Sequence, residues 1–344
     1  MTGTVTIRPT ADILAAGSDP RYFEPEDPAL LLHADPARRE PVSFTSEGVR
    51  LAGHLYRPRS GGVTPGIVMT GPISSVKEQT VPHYAERLAD AGYTVLTFDP
   101  RTFGESEGTP RAHHDPNWII EDISAAVGYL RTRDDIDPER IGGVGVCMGG
   151  GYMVSAAARD RRIAAVVSVA GGYNVGGTFT KIMGEEGFAA FQRTVIETVE
   201  RAERAGEVAY MPTIAKELTP EVPLAATPNP EAYSYYDRTS KTDAPTWSRE
   251  MTVASFIPYL VYNALGDARL LAPTPLLIVH GTTDTALLPE YAQAAYDAAT
   301  GPKRLVWVET HNHIELYDQD PYVSRATEAI IEWLGEYLPV KKSE

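Results

Sequence analysis

The fold is decided by residues 141–151, which read IGGVGVCMGGG. This short apolar run breaks into glycines, and the small and apolar residues 152–158 then continue as a helix would. Within it, Gly145-x-Cys147-x-Gly149 has the spacing of the G-x-S-x-G nucleophile elbow, with cysteine in place of serine. A strand that turns sharply into a helix strains the middle residue, and glycines at the flanking positions avoid a collision. The pattern therefore predicts that Cys147 is a nucleophile above the sheet edge.

Two observations limit the weight of the motif alone. A lone cysteine is more often a small buried hydrophobic residue than a nucleophile, so the strand–turn–helix context carries the prediction. Residues 104–108, GESEG, match the same expression, but the polar sequence that follows them does not continue as an apolar helix. We therefore interpret Ser106 as a loop residue.

Composition excludes several classes of function. The 344 residues carry a formal charge of −15, which argues against nucleic-acid binding and against anionic membranes. One cysteine excludes an internal disulfide and fits a reducing compartment. The N-terminus has no basic segment followed by an apolar one, and no apolar run is long enough to cross a bilayer. These features predict a cytoplasmic protein with no membrane partner.

The central part of the chain alternates strands with helices, which indicates a mostly parallel sheet covered on both faces. An antiparallel hairpin precedes the alternation. The predicted strands are 42–45, 49–56, 66–70, 93–98, 141–146, 163–169, 275–280 and 304–308, and the last helix contains Val323, Ile330 and Leu334. We assign residues 41–172 and 266–338 to this α/β core.

The remaining segments do not follow this alternation. Residues 1–40 form an N-terminal arm with a short helical piece around 28–33, and residues 339–344 form a tail. The arm can pack across the body or between subunits, which leaves a homodimer open. Residues 173–265 are helical, irregular and rich in aromatic side chains. They are either a helical decoration or a lid over Cys147, and their position before the last strands favours the lid.

A cysteine nucleophile needs a base, and the base needs a group that orients it. The order in an elbow enzyme of this kind is nucleophile, acid, histidine. Asp284 lies in the loop after a strand end, where the acid is expected, and the loop after the next strand offers His311 and His313. Spacing alone does not choose between the two histidines. It also gives only a weak metal site, because no Cys or carboxylate cluster joins them.

The oxyanion of such a reaction needs two N–H donors. The backbone N–H of Met148 lies at the predicted helix N-terminus, where an oxyanion can bind. The second donor is expected from the loop after Thr70. Pro72 has no N–H, so we assign this donor to Ile73. The chain contains no Walker A loop and no H-E-x-x-H, and we expect neither a cofactor nor a metal.

These residues resemble the α/β-hydrolase superfamily, and within it the dienelactone hydrolase-like branch. Residues 145–150, GVCMGG, are similar to that branch's G-x-C-x-G-G, and residues 76–79, 98–108, 121–123 and 313–318 are similar to recurring blocks of bacterial hydrolases. The resemblance implies an α/β-hydrolase fold with a helical lid insertion. It also selects His313, because the histidine that heads such a block is the catalytic one in those relatives. Members with a long lid commonly carry serine at the elbow, so this combination leaves the substrate open.

The predicted activity is acyl transfer to water through a Cys147–His313–Asp284 triad and an acyl-enzyme. Thiolate attack suits an ester, thioester or lactone, and an aromatic lid suits a medium-sized hydrophobic acyl compound as the small-molecule partner. One alternative is a non-hydrolytic cyclase, lyase or acyltransferase of secondary metabolism on the same fold. The other is a ligand-binding pseudo-hydrolase in which Cys147 is a buried remnant.

Overall fold

The computed structural model describes residues 28–59, 61–217 and 224–340, together with positions 11 and 219. Eight strands form the central sheet: β1 Glu40–Ser46, β2 Val49–Tyr56, β3 Thr64–Thr70, β4 Thr94–Phe98, β5 Ile136–Val146, β6 Ile163–Val169, β11 Leu276–Gly281 and β12 Lys303–Val308. Their order across the sheet is β1-β2-β4-β3-β5-β6-β11-β12. Two small two-stranded sheets contain β7 Tyr210–Pro212 with β10 Glu250–Thr252, and β8 Ile214–Ala215 with β9 Thr227–Pro228.

The sheet is parallel apart from one edge. β1 pairs antiparallel with β2, which confirms the predicted hairpin, and β2 pairs antiparallel with β4. All other pairs of the large sheet are parallel. Every residue of β3, β4 and β11 is buried, as expected where helices cover both faces of a parallel sheet. Because the strands are parallel, the loops that follow β5, β11 and β12 meet at one edge.

Helices cover the sheet and form much of the segment between β6 and β11. In chain order they are α1 Val81–Asp90, α2 Pro116–Arg131, α3 Met148–Arg159, α4 Val175–Ala205, α5 Pro230–Thr239, α6 Phe256–Tyr259, α7 Leu265–Arg269, α8 Pro289–Ala298, α9 Glu315–Asp318 and α10 Tyr322–Tyr337. Within the described ranges, none of these helices is both long and apolar enough to cross a membrane.

The segment 173–265 has an aromatic core of its own. Phe179, Phe191 and Phe256 form a ring cluster in which neighbouring centroids lie 5.3–6.3 Å apart. Helix α4 is interrupted at Gly184, whose φ of 74° and ψ of 165° lie outside the helical region. A residue with a side chain rarely adopts this φ, so glycine permits the kink. The kink directly follows Met183, which lines the cavity described below.

The described end of the N-terminal arm packs on the core. The expectation of a helical piece at 28–33 is wrong, because Leu31 instead forms a β-bridge with Gln319. The Leu32 N–H donates to the carbonyl oxygen of Asp318, the last residue of α9, at 2.7 Å, so the arm pairs its backbone with the end of this helix rather than with itself. A 3₁₀ turn follows at Pro36–Arg38. The rest of the arm, apart from position 11, and residues 341–344 of the tail lie outside the described residues.

Candidate active site

Cys147 lies between β5 and α3 in the turn that the sequence predicts. Its φ of 59° and ψ of −130° are strained for a residue with a side chain. A Cβ at Gly145 would overlap the carbonyl group of Gly149, and a Cβ at Gly149 would lie 2.6 Å from the carbonyl oxygens of Thr70 and Gly71. Only glycine fits at both positions, so the local sequence dictates a sharp turn with Cys147 at its tip.

The two residues proposed as oxyanion donors, Met148 and Ile73, both line the cavity that Cys147 lines. Met148 is the first residue of α3, so its N–H belongs to the first turn, which has no intrahelical acceptor. The Gly149 N–H donates to the carbonyl oxygen of Gly71 at 3.1 Å, which holds the loop after β3 against the turn. Ile73 belongs to this loop, and the hydroxyl of Tyr236 donates to its carbonyl oxygen at 3.3 Å. Ile73, Cys147 and Met148 line one cavity.

Asp284 and His313 form a buried hydrogen-bonded pair. Nδ1 of His313 lies 2.6 Å from Oδ2 of Asp284, and the two side chains are 4% and 1% exposed. The other carboxylate oxygen of Asp284 accepts from the backbone N–H groups of Ala286 at 2.9 Å and Leu287 at 2.7 Å. These bonds fix the carboxylate, which in turn leaves the Nε2 edge of the His313 ring facing away from Asp284.

The electrostatics of His313 involve Cys147 as well as Asp284. Burial lowers the pKa of His313, but the charges of Asp284 and Cys147 and the hydrogen-bonding interactions with both outweigh it. The pKa of His313 is therefore well above its ordinary value, which favours the protonated form of its ring. His311 has a different environment: its side chain is 78% exposed, and its Nδ1 lies 3.0 Å from a carboxylate oxygen of Glu315. The structure thus brings His313, and not His311, to Asp284 and Cys147.

A cavity of about 140 Å³ lies over Cys147. Cys147 and His313 supply reactive groups to its wall, whereas most of its lining is apolar, including Ile73, Met148, Phe179, Met183 and Leu287. Ile182 also lines the cavity and is 52% exposed, so the cavity reaches solvent at this side chain. A volume near 150 Å³ holds a group about the size of benzene.

Several polar side chains of this cavity were not predicted from the sequence. The hydroxyl of Tyr317 lies 3.1 Å from Nε2 of His313, and Tyr236 and Glu231 come from helix α5. Burial, together with the charge of Cys147, raises the pKa values of Tyr236 and Tyr317 well above their ordinary value. The four-residue spacing of His313 and Tyr317 could have predicted that the two side chains lie close together, because residues four apart share one face of a helix. No motif in the sequence of α5 predicts that this helix faces the cavity.

The described residues hold no group of three or more His, Cys, Asp or Glu side chains arranged to bind a metal ion. His280, the last histidine before Asp284, is fully buried, and its Nε2 lies 3.9 Å from Oδ2 of Asp284. Burial lowers the pKa of His280. Ser106, in the second G-x-S-x-G, lies outside any helix or strand, and its hydroxyl donates to the carbonyl oxygen of Asp99 at 2.6 Å.

Comparisons with known proteins identify relatives of this chain and structures with a similar fold. The chain is 33% identical to the thiohydrolase aneE of Aspergillus aculeatus, over 78% of this chain and 84% of that protein. It is 29% identical to the polyketide transferase claH of Penicillium crustosum, over 80% of this chain and 91% of that protein. The crystal structure of the α/β hydrolase GrgF from a Penicillium species superposes with a TM-score of 0.73 at 22% identity, over 87% of this chain and 99% of that chain.

The family profile of X-Pro dipeptidyl-peptidase, the S15 family, matches residues 47–315. This range includes the elbow at Cys147, Asp284 and His313, and it spans the sheet from the β1–β2 turn to the histidine loop. Sheet order, elbow and family match all agree, and the chain therefore belongs to the S15 family within the α/β-hydrolase superfamily.

Proposed function

We propose that this protein hydrolyses an ester, thioester or lactone of a medium-sized hydrophobic acyl compound through an acyl-enzyme on Cys147. One observation carries the proposal: Cys147 stands at a strained turn in an apolar cavity whose wall also contains His313, and Asp284 holds that histidine by Nδ1. A nucleophile, a base and an orienting carboxylate in this order are the parts that acyl transfer requires.

The first half-reaction forms the acyl-enzyme. The sulfur of Cys147 attacks the substrate carbonyl carbon, while Nε2 of His313 holds the thiol proton. The carbonyl oxygen becomes an oxyanion, for which we assign the N–H groups of Met148 and Ile73 as donors. The bond from the carbonyl carbon to the leaving thiolate or alkoxide then breaks. His313 gives its proton to that leaving group, and the acyl group remains on sulfur.

The second half-reaction releases the acyl group. A water molecule gives a proton to His313 and attacks the thioester carbon, and the carbon–sulfur bond then breaks. The products are a carboxylic acid and free Cys147. Asp284 favours the protonated ring in both halves because its buried carboxylate faces Nδ1. Free thiol is needed in every cycle, so the proposal places the enzyme in a reducing compartment such as the cytoplasm.

The lining of the cavity supports the hydrophobic acyl group. Apolar side chains surround Cys147, and the cavity opens at Ile182 on the lid segment 173–265. The similarity of residues 145–150 to the dienelactone hydrolase-like branch supports cysteine as the nucleophile. The family name refers to a peptidase. In the tetrahedral intermediate formed from an amide, however, the thiolate is a better leaving group than the amine, so the intermediate reverts to the amide. We therefore propose oxygen and sulfur esters as substrates.

A second candidate is acyl transfer to a nucleophile other than water. The name of the relative claH, polyketide transferase, favours it. The same acyl-Cys147 would react with an alcohol or amine, and a hydroxyl within the substrate would give a lactone. The two candidates share the first half-reaction and differ only in the acceptor.

Isotope incorporation separates these candidates. Octanoyl N-acetylcysteamine thioester is incubated with the protein in ¹⁸O-labelled water that also contains 1-butanol or butylamine as the acceptor, and thiol release and product mass are measured. Hydrolysis predicts octanoic acid with one solvent oxygen atom per thiol released. Unlabelled ester or amide product would instead establish transfer. Equal turnover by Cys147→Ala would contradict both, and binding without turnover would support the pseudo-hydrolase.

A further inference from the structure

Glu231 is a buried carboxyl group in the cavity that the proposed mechanism does not use. It lies in the first turn of α5, after the helix cap Asn229, whose side-chain oxygen accepts from the Glu231 N–H at 2.9 Å. The residue is 7% exposed and lines the same cavity as Cys147 and His313. The cap fixes the start of the helix, so the Glu231 side chain has a defined direction.

The two carboxyl oxygens of Glu231 have different environments. Oε1 accepts from the backbone N–H groups of His313 at 2.7 Å and Ile314 at 3.0 Å. Oε2 is buried and has no hydrogen-bond partner among the described residues. A buried polar atom without a partner is unfavourable, so a ligand group that pairs with it should bind about tenfold or more tightly than one that does not. Glu231 lines the cavity and its Oε1 is occupied by the histidine loop, so Oε2 is the oxygen available to pair with a ligand there.

Resting on the proposed function, we propose that Oε2 of Glu231 binds a hydroxyl group on the acyl chain, so that the natural substrates are hydroxyacyl compounds. The rest of the lining near Cys147 is mostly apolar, which suits the hydrocarbon part of such a chain. A site built to hydrogen-bond a substrate hydroxyl discriminates strongly against the analogue that lacks it, because its buried polar atom then stays unpaired.

A hydroxyl is the group that suits this carboxyl in both of its protonation states. Burial raises the pKa of Glu231 to about 7, the nearby His313 opposes the shift, and Asp284 adds to it. The neutral acid donates a hydrogen bond and the carboxylate accepts one. A hydroxyl can take either role, whereas a ketone only accepts and an ammonium only donates.

Glu231 also holds the histidine loop, so its replacement can change the rates for all substrates. The test therefore compares kcat/KM for a hydroxyacyl substrate with kcat/KM for its unsubstituted analogue. We measure kcat/KM for octanoyl N-acetylcysteamine thioester and for its 3-, 5- and 7-hydroxy derivatives. The wild-type protein should prefer one hydroxy derivative over octanoyl by about tenfold or more. In Glu231→Leu the same ratio should fall to about one, whatever happens to the absolute rates. Glu231→Gln should retain part of the preference, because its amide still bonds a hydroxyl.

Glu315→Leu is the matched control. Glu315 is also buried and accepts from a backbone N–H of the histidine loop, that of His311 at 2.7 Å, but it does not line the cavity. Its loss should change the rates for both substrates alike and leave the ratio unchanged.

Two results would overturn the inference while the proposed function stands. In the first, Cys147 of the wild-type protein is acylated, but no hydroxyoctanoyl thioester is preferred over the octanoyl thioester. In the second, Glu231→Leu keeps the wild-type preference for a hydroxyoctanoyl thioester. The first needs no variant, so the inference remains testable even where Glu231→Leu does not fold. Absence of any acyl adduct on the wild-type protein would overturn the proposed function, and the inference with it.

Discussion

Replacing Asp284 by asparagine tests the orientation of His313. The carboxylate accepts from Nδ1 of His313 through Oδ2 and from two loop N–H groups through Oδ1. The amide oxygen of the introduced asparagine can keep the loop bonds, which then turns its NH₂ group toward Nδ1. Nδ1 must become an acceptor, so the ring proton moves to Nε2. His313 can then no longer receive the proton of Cys147.

The size of the effect follows from these contacts. A hydrogen bond to a charged group contributes about 1.5–3 kcal/mol, which is roughly a ten- to hundredfold change in rate. The wrong tautomer adds to this, and the same change in serine proteases lowers kcat by about 10⁴. We expect Asp284→Asn to lower kcat/KM by about 10³-fold. The pKa of His313 should also fall, because Asp284 is one of the groups that raise it.

Thiol release from octanoyl N-acetylcysteamine thioester measures this loss, and circular dichroism checks that the variant is folded. Asp134→Asn is the matched control, because Asp134 is exposed in the turn before β5, and it should retain wild-type activity. A folded Asp284→Asn protein with kcat/KM within about threefold of the wild type would refute the assigned role of the carboxylate.

Three further changes have defined outcomes. Gly145→Ala places a methyl group against the backbone of Gly149 and should lower the free energy of unfolding in urea by about 3 kcal/mol, whereas Gly335→Ala, where the space is open, should not lower it. A decrease below about 1 kcal/mol for Gly145→Ala would contradict the predicted clash. Burial lowers the pKa of His114 to about 3, so between about pH 6.5 and 3 only the unfolded chain binds its proton, and the free energy of unfolding falls as the pH falls. His114→Gln should reduce the slope of the unfolding free energy against pH by about 1.4 kcal/mol per pH unit in this range, and an unchanged slope would contradict this. Tyr317→Phe removes the hydroxyl beside Nε2 of His313 and should lower kcat/KM about fivefold, and an unchanged or higher value would argue against this contact.

The sequence predicted the sheet well because its signals are local. Buried parallel strands appear as short apolar runs, and β2 and β6 begin and end at the predicted residues. The close approach of Asp284 and His313 also followed from position, because loops after neighbouring parallel strands meet at one sheet edge. The choice between His311 and His313 did not follow from spacing, since both lie in one loop and differ only in burial and partners.

The polar lining contributed by α5 could not be predicted in the same way. Glu231 contacts the backbone of His313, 82 residues later in the chain, and Tyr236 bonds the carbonyl of Ile73, 163 residues earlier. No periodicity or motif encodes such contacts, because they depend on how segment 173–265 packs over the sheet edge. The predicted helical piece in the arm is wrong for the same kind of reason, because backbone pairing of Leu31 with Gln319 overrides any local helical preference.

Intact-protein mass spectrometry tests the central claim most directly. The protein is mixed with octanoyl N-acetylcysteamine thioester, quenched in acid at successive times and digested to locate the modified residue. The account predicts a transient octanoyl adduct on Cys147, absent in Cys147→Ala and longer-lived in His313→Ala. Turnover by Cys147→Ala, or an adduct on any other residue, would contradict it.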